Sequence, residues 1–236
     1  MAESGTKTAG IIGGIGPEST IEYYRAIIAT YRERRRDGSS PALVIDSIDL
    51  KKMLDLIGAN RLAEVTAYLA SEIDKVARAG ADFGAIAANT PHVVFEALAA
   101  RSPIPLISIV DVTCEAARAR GLGRLGLLGT RFTMMGRFYA DVFRRAGVAL
   151  VAPAPPEQDY IHETYMGELV NGIVRPETRA RFLAIIDRLR TEEKIDGVIM
   201  GGTELSPLFR AVDDAGVPIL DTTKLHVERI VAEILS

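Results

Sequence analysis

The sequence predicts an α/β fold of two similar lobes, each a four-stranded parallel sheet flanked by helices. Short apolar segments of strand length alternate with helical segments along the whole chain, and this order requires parallel strands joined by right-handed crossovers. Two pairs of segments also repeat. Gly10–Gly14 matches Gly126–Thr130, 116 positions further along, and Ile86–Phe95 matches Ile199–Phe209 at nearly the same offset. A duplicated unit explains both matches and predicts lobes related by a pseudo-two-fold axis.

Four strands are predicted in the first half of the chain, from apolar runs that end at glycine, proline or polar residues. They cover Thr8–Gly14, Leu43–Ile45, Phe83–Ala88 and Leu106–Val110. Pro17 opens a helix after the first strand, and a long helical stretch from Asn60 to Ala79 ends at Gly80. Pro91 lies where a first-turn proline is tolerated, so a further helix runs from there to Ala100.

The second half of the chain repeats this order of strands and helices. Its predicted strands cover Arg124–Thr130, Val148–Ala152, Gly197–Met200 and Val217–Leu220. Its predicted helices cover Phe132–Ala146, Asp159–Asn171, Pro176–Glu193, Pro207–Ala215 and Lys224–Leu235. We expect residues 1–112 together with 216–236 to form the first lobe, and residues 113–215 to form the second.

The composition excludes several classes of function. A chain of 236 residues with 48% hydrophobic residues can bury a large core, and a formal net charge of −3 does not favour nucleic acid or an anionic membrane as partners. The single cysteine, Cys114, rules out an internal disulfide and reads as a small core residue. The three histidines and this cysteine lack metal-ligand spacing. The N-terminal stretch Met1–Lys7 is short and polar without an apolar signal region, and no stretch approaches the length of a membrane span. The sequence therefore predicts a cytoplasmic protein without a metal.

A site is expected where the carboxyl ends of the strands of both lobes face each other across a cleft. The residues predicted to line it are Gly14–Gly16, Ser47, Asn89, Thr90, Thr130–Thr133, Thr203, Glu204, Thr222 and Thr223. They offer backbone N–H groups and hydroxyls, which suit a small carboxylate held by oriented dipoles. The same dipoles stabilise negative charge that develops when a proton or CO₂ leaves the adjacent carbon. Each lobe would form one wall of this cleft. One acid or base on each wall would permit inversion at that carbon without a cofactor.

Several separate motifs, in order along nearly the whole chain, carry a family resemblance. They are Gly13–Thr20 with Tyr23 and Tyr24, Ala88–His92, Leu128–Met134, Gly201–Leu205, and Asp221–Thr223 with His226. Together they resemble the aspartate/glutamate racemase family, the cofactor-independent amino-acid racemases. The resemblance implies two α/β lobes with the C-terminal helix returning to the first. It also implies an active site between the lobes, a homodimer, a small amino acid or carboxylic acid as substrate, and neither pyridoxal phosphate nor metal.

The sequence departs from the family pattern at two positions. In a typical member, one cysteine precedes the Asn-Thr of the first motif and another follows the glycine of the second, and these thiols move the α-proton on opposite faces. Here the positions hold Ala88 and Gly202, neither of which can carry a proton. Glu204 is the natural substitute on the second wall, and Thr90, His92 or a bound water would have to serve on the first. The predicted substrate-binding residues are Gly14, Asn89, Thr90, Thr130, Arg131, Thr133, Thr203, Glu204 and Thr222.

Three functional hypotheses follow from these replacements. The protein is a racemase or isomerase with substitute bases, or it carries out one-sided chemistry such as decarboxylation or elimination, or it binds a small acid without turnover. Because a carboxylate and a hydroxyl are poor partners for removing an amino-acid α-proton, the first hypothesis predicts weak activity or a more acidic substrate. Arg131 is the nearest candidate for holding a second carboxylate.

Simpler interpretations of the same residues stay open at this point. The turn Gly14–Ser19 partly resembles a dinucleotide fingerprint, with Asp46 or Asp49 as the ribose acceptor, although a lone glycine pattern is weak. His92 and the threonines are also suited to capping helices, and Glu204 to complementing a helix dipole. The tyrosines at 23, 24 and 139 read as packing residues, and the stretch from Tyr160 to Glu163 reads as an exposed helix.

Overall fold

The computed structural model describes residues 6–209 and 215–236, which form two compact units. Of these described residues, 6–109 and 226–236 form unit 1, and 110–209 and 215–225 form unit 2. Each unit contains one four-stranded parallel sheet flanked by helices, as the sequence predicts. Throughout the described part of the chain, every helix is too short or too polar to cross a lipid bilayer.

The sheet of unit 1 has the strand order β2-β1-β3-β4. Its strands are β1 (Ala9–Gly13), β2 (Leu43–Ser47), β3 (Phe83–Ile86) and β4 (Leu106–Ile107). The central strands β1 and β3 are buried along their whole length, because helices cover both faces of a parallel sheet. Since all pairs are parallel, the segments that follow β1 and β3 emerge at the same edge of the sheet.

Helices of different lengths surround this sheet. They are α1 (Pro17–Arg35), α2 (Leu50–Gly58), α3 (Leu62–Arg78), a 3₁₀ helix (Thr90–Val94), α4 (Phe95–Ala99) and the start of α5 (Ile109–Ala119). The last helix, α10 (Thr222–Ile234), contributes its residues from His226 onward to unit 1. There Val227, Ile230 and Ile234 pack with Tyr23 and Ile27 of α1 in one buried apolar cluster.

The sheet of unit 2 repeats the arrangement, with the strand order β6-β5-β7-β8. Its strands are β5 (Arg124–Gly129), β6 (Ala149–Val151), β7 (Gly197–Gly201) and β8 (Ile219–Asp221). Its helices are α6 (Arg131–Met135), α7 (Arg137–Arg145), α8 (Pro155–Gly167) and α9 (Pro176–Glu192), with 3₁₀ helices at Leu169–Asn171 and Thr203–Phe209. The core of this unit joins α8 and α9 to β7 through residues such as Tyr165, Phe182 and Met200.

The structure differs from the predicted elements at several places. Helix α2 is not anticipated by the sequence analysis; the Asp49 side chain caps it by accepting from the N–H groups of Lys51 and Lys52. The predicted helix over 132–146 is divided at Gly136, which has an extended backbone with φ −71° and ψ 144°. The fourth strand is shorter than predicted, because α5 already begins at Ile109.

The region after β7 and the division of the chain also differ from expectation. The predicted helix Pro207–Ala215 is a 3₁₀ helix up to Phe209, and residues 210–214 of that prediction lie outside the described residues. The ranges predicted from sequence assign residues 216–236 to the first lobe. In the structure, β8 pairs with β7 in register Ile199 to Leu220, so this strand belongs to unit 2 and the division falls before His226.

Candidate functional site

The turn after β1 is fixed by backbone contacts around Gly14. Its φ of 79° lies in the left-handed region, and a β-carbon there would lie 2.3 Å from the carbonyl oxygen of Ile48. The Gly14 N–H donates to Oγ1 of Thr20 at 2.8 Å, so this predicted substrate-binding group already has a partner within α1. Oδ1 of Asp49, one of the two candidate ribose acceptors, is used to cap α2.

The residues that follow β3 belong to the wall of the cleft predicted for the first lobe. Ala88 is buried in the core of unit 1 and contributes only a methyl group. Asn89 is also buried, and its carbonyl accepts from the N–H of His92 at 3.0 Å. Thr90 is half-buried and begins the 3₁₀ helix that Pro91 enters in its first turn. Among these residues, an amide and a hydroxyl are therefore the polar side chains placed at this strand end.

His92 has both ring nitrogens bound to the backbone. The Ile109 N–H, which can only donate, lies 3.2 Å from Nε2, so Nε2 accepts and the proton resides on Nδ1. Nδ1 then donates to the carbonyl oxygen of Ala88 at 3.0 Å. Burial, and secondly repulsion by His226 when that ring is protonated in acid, lowers the pKa of His92 to about 3, and the ring stacks on Phe95. In this arrangement His92 is a neutral residue that ties the turn after β3 to the start of α5.

His226 on α10 is held in the opposite tautomer. Nε2 lies 3.1 Å from the carbonyl oxygen of Ile107, so Nε2 carries the proton and donates it. Nδ1 then accepts from the hydroxyl of Tyr23 at 2.8 Å. Burial lowers the pKa of His226 to about 4. Both buried histidines of unit 1 are therefore neutral, and Tyr23 is a hydrogen-bonding core residue as well as a packing residue.

The predicted residues after β5 form a compact cap. Oγ1 of Thr130 accepts from the N–H of Thr133 at 3.3 Å and lies 3.2 Å from Oγ1 of Thr133, which is fully buried. Arg131 points its guanidinium to Oδ1 of Asp159 at 2.7 Å, an ion pair in which both side chains are about half exposed. The candidate for a second carboxylate therefore already pairs with an acid on α8.

Two neighbouring threonines at the start of α10 differ in the hydrogen bonds of their hydroxyls. Oγ1 of Thr222 donates to the carbonyl oxygen of Met200 in β7 at 2.8 Å, which anchors the helix to the sheet of unit 2. Oγ1 of Thr223 is buried without a hydrogen-bond partner among the described residues. Thr222, a predicted substrate-binding residue, therefore uses its hydroxyl within the fold.

The turn after β7 brings together three polar side chains and a glycine. Glu204 is 8% exposed, and its Oε2 accepts from Oγ1 of Thr203 at 2.6 Å and from the hydroxyl of Tyr165 on α8. A β-carbon at Gly202 would lie 2.4 Å from Cε2 and 2.8 Å from the hydroxyl oxygen of that tyrosine. The space beside Gly202 is thus filled by Tyr165, which presents a hydroxyl to the Glu204 carboxylate.

Sequence reasoning missed Tyr165. The stretch before it reads as an exposed helix because it contains Asp159, His162 and Glu163, yet Ile161 and Tyr165 are both buried. Their spacing of four residues places them on one helix face, and this signal predicts a buried stripe. Glu204, which the Tyr165 hydroxyl contacts, lies some 40 positions away in the sequence, and no local pattern identifies it as the partner.

Two other predictions concern metals and the thiol. Within residues 6–209 and 215–236, no three His, Cys, Asp or Glu side chains come together as metal ligands. Cys114 lies in the middle of α5 and is buried. Burial, and secondly the charge of Asp111, raises the pKa of its thiol, which keeps it protonated and unreactive.

Comparisons with known proteins agree with the motifs. The model of the Asp/Glu/Hydantoin racemase family matches residues 12–230. The chain is 23% identical over 238 residues to the broad specificity amino-acid racemase RacX of Bacillus subtilis (strain 168), a match that covers 96% of this chain and 98% of RacX.

Solved structures show the same relationship. A putative Asp/Glu racemase from Yersinia pestis superposes with a TM-score of 0.89 at 28% identity, covering 98% of this chain and 100% of that one. An aspartate racemase homologue from Pyrococcus horikoshii OT3 superposes with a TM-score of 0.86 at 32% identity, with the same coverage. The resemblance inferred from the sequence motifs is confirmed. This chain belongs to the Asp/Glu/Hydantoin racemase family.

Proposed function

We propose that the protein is a cofactor-independent isomerase that moves a proton at the α-carbon of a small amino acid or carboxylic acid. The observation that carries this proposal is the buried carboxylate of Glu204 at the carboxyl end of β7. Its Oε2 accepts two hydroxyl hydrogen bonds, whereas none of the hydrogen bonds found among the described residues ends on Oε1. Oε1 is the oxygen that would take the proton, with Glu204 as the general base.

The proposed binding groups come from both units. An amide and a hydroxyl follow β3 at Asn89 and Thr90, and hydroxyls follow β5 and β7 at Thr130 and Thr203. Hydroxyl, amide and backbone N–H groups at strand ends suit a carboxylate and the negative charge that develops beside it. The location of the ligand between the two lobes stays a prediction from the sequence.

The substrate class is proposed from the relatives as well as from the residues. RacX is described as a broad specificity amino-acid racemase, and the two structural relatives as a putative Asp/Glu racemase and an aspartate racemase homologue. Arg131, the one arginine of the predicted site, pairs with Asp159. We therefore propose a small amino acid without restricting it to aspartate or glutamate. We also propose that the protein acts in the cytoplasm as a homodimer, without pyridoxal phosphate or metal.

A second candidate function, one-sided carbanion chemistry such as decarboxylation or elimination, is favoured by a specific observation on unit 1. Ala88 carries no acid or base, and both nitrogens of His92 are bound to the backbone. Stereoinversion would then depend on Thr90 or a bound water to return the proton to the opposite face. A hydroxyl is a weak base, so racemisation by this route is expected to be slow.

The test is solvent deuterium incorporation at Cα, followed by proton NMR on a panel of amino acids and small carboxylic acids in D₂O. Optical purity is measured on the same samples. Exchange with loss of optical purity supports an isomerase, and exchange with retention supports proton transfer on one face only. Glu204→Gln should abolish exchange, whereas Glu163→Gln, on the exposed face of α8, should leave it unchanged.

Two outcomes would contradict the proposal. Exchange that persists in Glu204→Gln removes Glu204 as the base. Absence of exchange across the panel, together with thermal stabilisation of the protein by one of the compounds, indicates a binding protein or a lyase that acts without exchanging the α-proton.

A further inference from the structure

The Glu204 carboxylate is fixed from one side by two hydroxyls. Tyr165 reaches Oε2 from α8, and Thr203 reaches the same oxygen from the neighbouring residue. A carboxylate only accepts hydrogen bonds, so two donors on one oxygen satisfy that oxygen and set the plane of the group. The second oxygen, Oε1, is consequently held in a defined direction.

Packing determines where the tyrosine ring lies. Tyr165 is 5% exposed and belongs to the apolar core of unit 2 together with Met200 and Leu205. Its Cε2 and hydroxyl occupy the volume that a side chain at position 202 would need. The tyrosine ring can lie beside Glu204 only because residue 202 is glycine. The missing side chain at position 202 and the Tyr165 hydroxyl beside Glu204 therefore depend on each other.

The tyrosine remains a donor across the range in which a carboxylate titrates. Burial, and secondly the negative charge of Glu204, raises the pKa of Tyr165 well above its ordinary value. A phenol with this environment keeps its proton at neutral and moderately alkaline pH. Its hydroxyl therefore supplies a permanent hydrogen bond to Oε2 rather than a proton for the reaction.

We propose that Tyr165 is the positioning residue of this active site: its hydroxyl fixes the orientation of the Glu204 side chain, with Oε1 directed to the substrate. This inference deepens the proposed function and rests on it. In the step concerned, the bond between Cα and its hydrogen breaks, the proton passes to Oε1, and the electron pair remains on the substrate. Tyr165 keeps its own proton throughout and acts through Glu204.

The experiment compares Tyr165→Phe with Tyr139→Phe, which removes another fully buried hydroxyl from the same unit. The first readout needs no activity: the side-chain ¹³C carboxyl chemical shift of Glu204, assigned with Glu204→Gln, is measured by NMR at pH 7, because it reports the hydrogen bonds that the carboxyl group accepts. Loss of the Tyr165 hydroxyl should change this chemical shift, since one of the two donors to Oε2 is removed. Tyr139→Phe should leave it unchanged. Thr203→Val, which removes the other donor, should move it in the same direction.

The second readout is the steady-state kinetics of α-proton exchange. Tyr165→Phe should lower kcat by about tenfold with little change in KM, because Glu204 is less well oriented toward the α-carbon. An unchanged ¹³C chemical shift of Glu204 in Tyr165→Phe overturns the inference. Absence of exchange in the wild type contradicts the proposed function alone, since the chemical shift still decides whether the Tyr165 hydroxyl holds Glu204.

Discussion

Tyr165 lies where a side chain at Gly202 would have to be, with Cε2 at 2.4 Å from the position of the missing β-carbon. Gly202→Ala should therefore destabilise unit 2 by about 1–3 kcal/mol, the usual cost of overpacking a core. Urea unfolding followed by circular dichroism measures the change. The matched control is Gly167→Ala in α8, where a β-carbon meets nothing within 4 Å and stability should be nearly unchanged.

The contact between Tyr165 and position 202 also predicts that substitutions at these two positions do not have additive effects on stability. Tyr165→Ala alone should cost about 3–5 kcal/mol by leaving a cavity. Combined with Gly202→Ala, the loss should be smaller than the two single losses added together, because the new methyl group enters the space that the ring leaves. Additive losses would show that the two positions do not compete for the same volume. For the same reason, a cysteine introduced at 202 should fit only when residue 165 is small.

Gly14→Ala is a second test of steric crowding, and Gly38→Ala is its matched control. Gly14 and Gly38 have nearly the same φ, 79° and 81°, but a β-carbon at Gly14 meets the Ile48 carbonyl at 2.3 Å and one at Gly38 meets nothing. Gly38→Ala should cost about 1 kcal/mol from the left-handed backbone alone. Gly14→Ala should cost clearly more in the same chemical unfolding assay. Equal losses would mean that the turn after β1 can relax.

The two buried histidines predict loss of stability in acid. Their pKa values are about 3 and about 4 when folded, below the ordinary value of 6.5, so the unfolded chain binds protons first. Their contribution is full above pH 6.5 and declines as the pH falls toward 4. Each should lower the free energy of unfolding by up to about 1.4 kcal/mol per pH unit in that window. Urea unfolding between pH 7 and 4 gives the slope; a flat profile would contradict the neutral assignments of His92 and His226.

Asp46 predicts an effect of the opposite sign. Burial, and secondly the neighbouring Glu72, raises its pKa above the ordinary value of 3.8, and one of its oxygens is buried without a partner among the described residues. Ionisation of Asp46 therefore costs stability as the pH rises from about 4 through its raised pKa. Asp46→Asn should stabilise the protein at pH 7, and the gain should vanish near pH 3. Paired unfolding curves at these two pH values check it, and an equal gain at both would exclude titration as the cause.

Much of the fold is readable from the sequence because parallel strands are buried on both faces. The runs at Gly10–Gly13 and Gly197–Gly201 are apolar throughout, and polar or glycine residues end them abruptly. Helix α2 was missed because it has only nine residues, and Asp49 at its start also fits a loop. The assignment of β8 was missed because a strand's partner is set by the sheet order rather than by its own residues.

The candidate site was predictable only in part. Asn89, Thr203 and Glu204 could be named because each follows a buried strand, where polar residues face the sheet edge. The roles of the residues were harder to predict. His92 looks like a base in the sequence, and only its distances to Ala88 and Ile109 show that both ring nitrogens are occupied. The contact between Tyr165 and Glu204 depends on how α8 packs against the turn after β7, a register that no local pattern encodes.

Unit 1 is discontinuous along the chain, and this has a consequence for biosynthesis. Its apolar core includes Val227 and Ile230 of α10, which the ribosome adds only after all of unit 2 has been made. Translation therefore delivers a complete unit 2 while the earlier-encoded unit still lacks one of its packing helices. The half of the protein that is synthesised first is expected to be the last to reach its native core, reversing the usual order in which domains fold as they emerge.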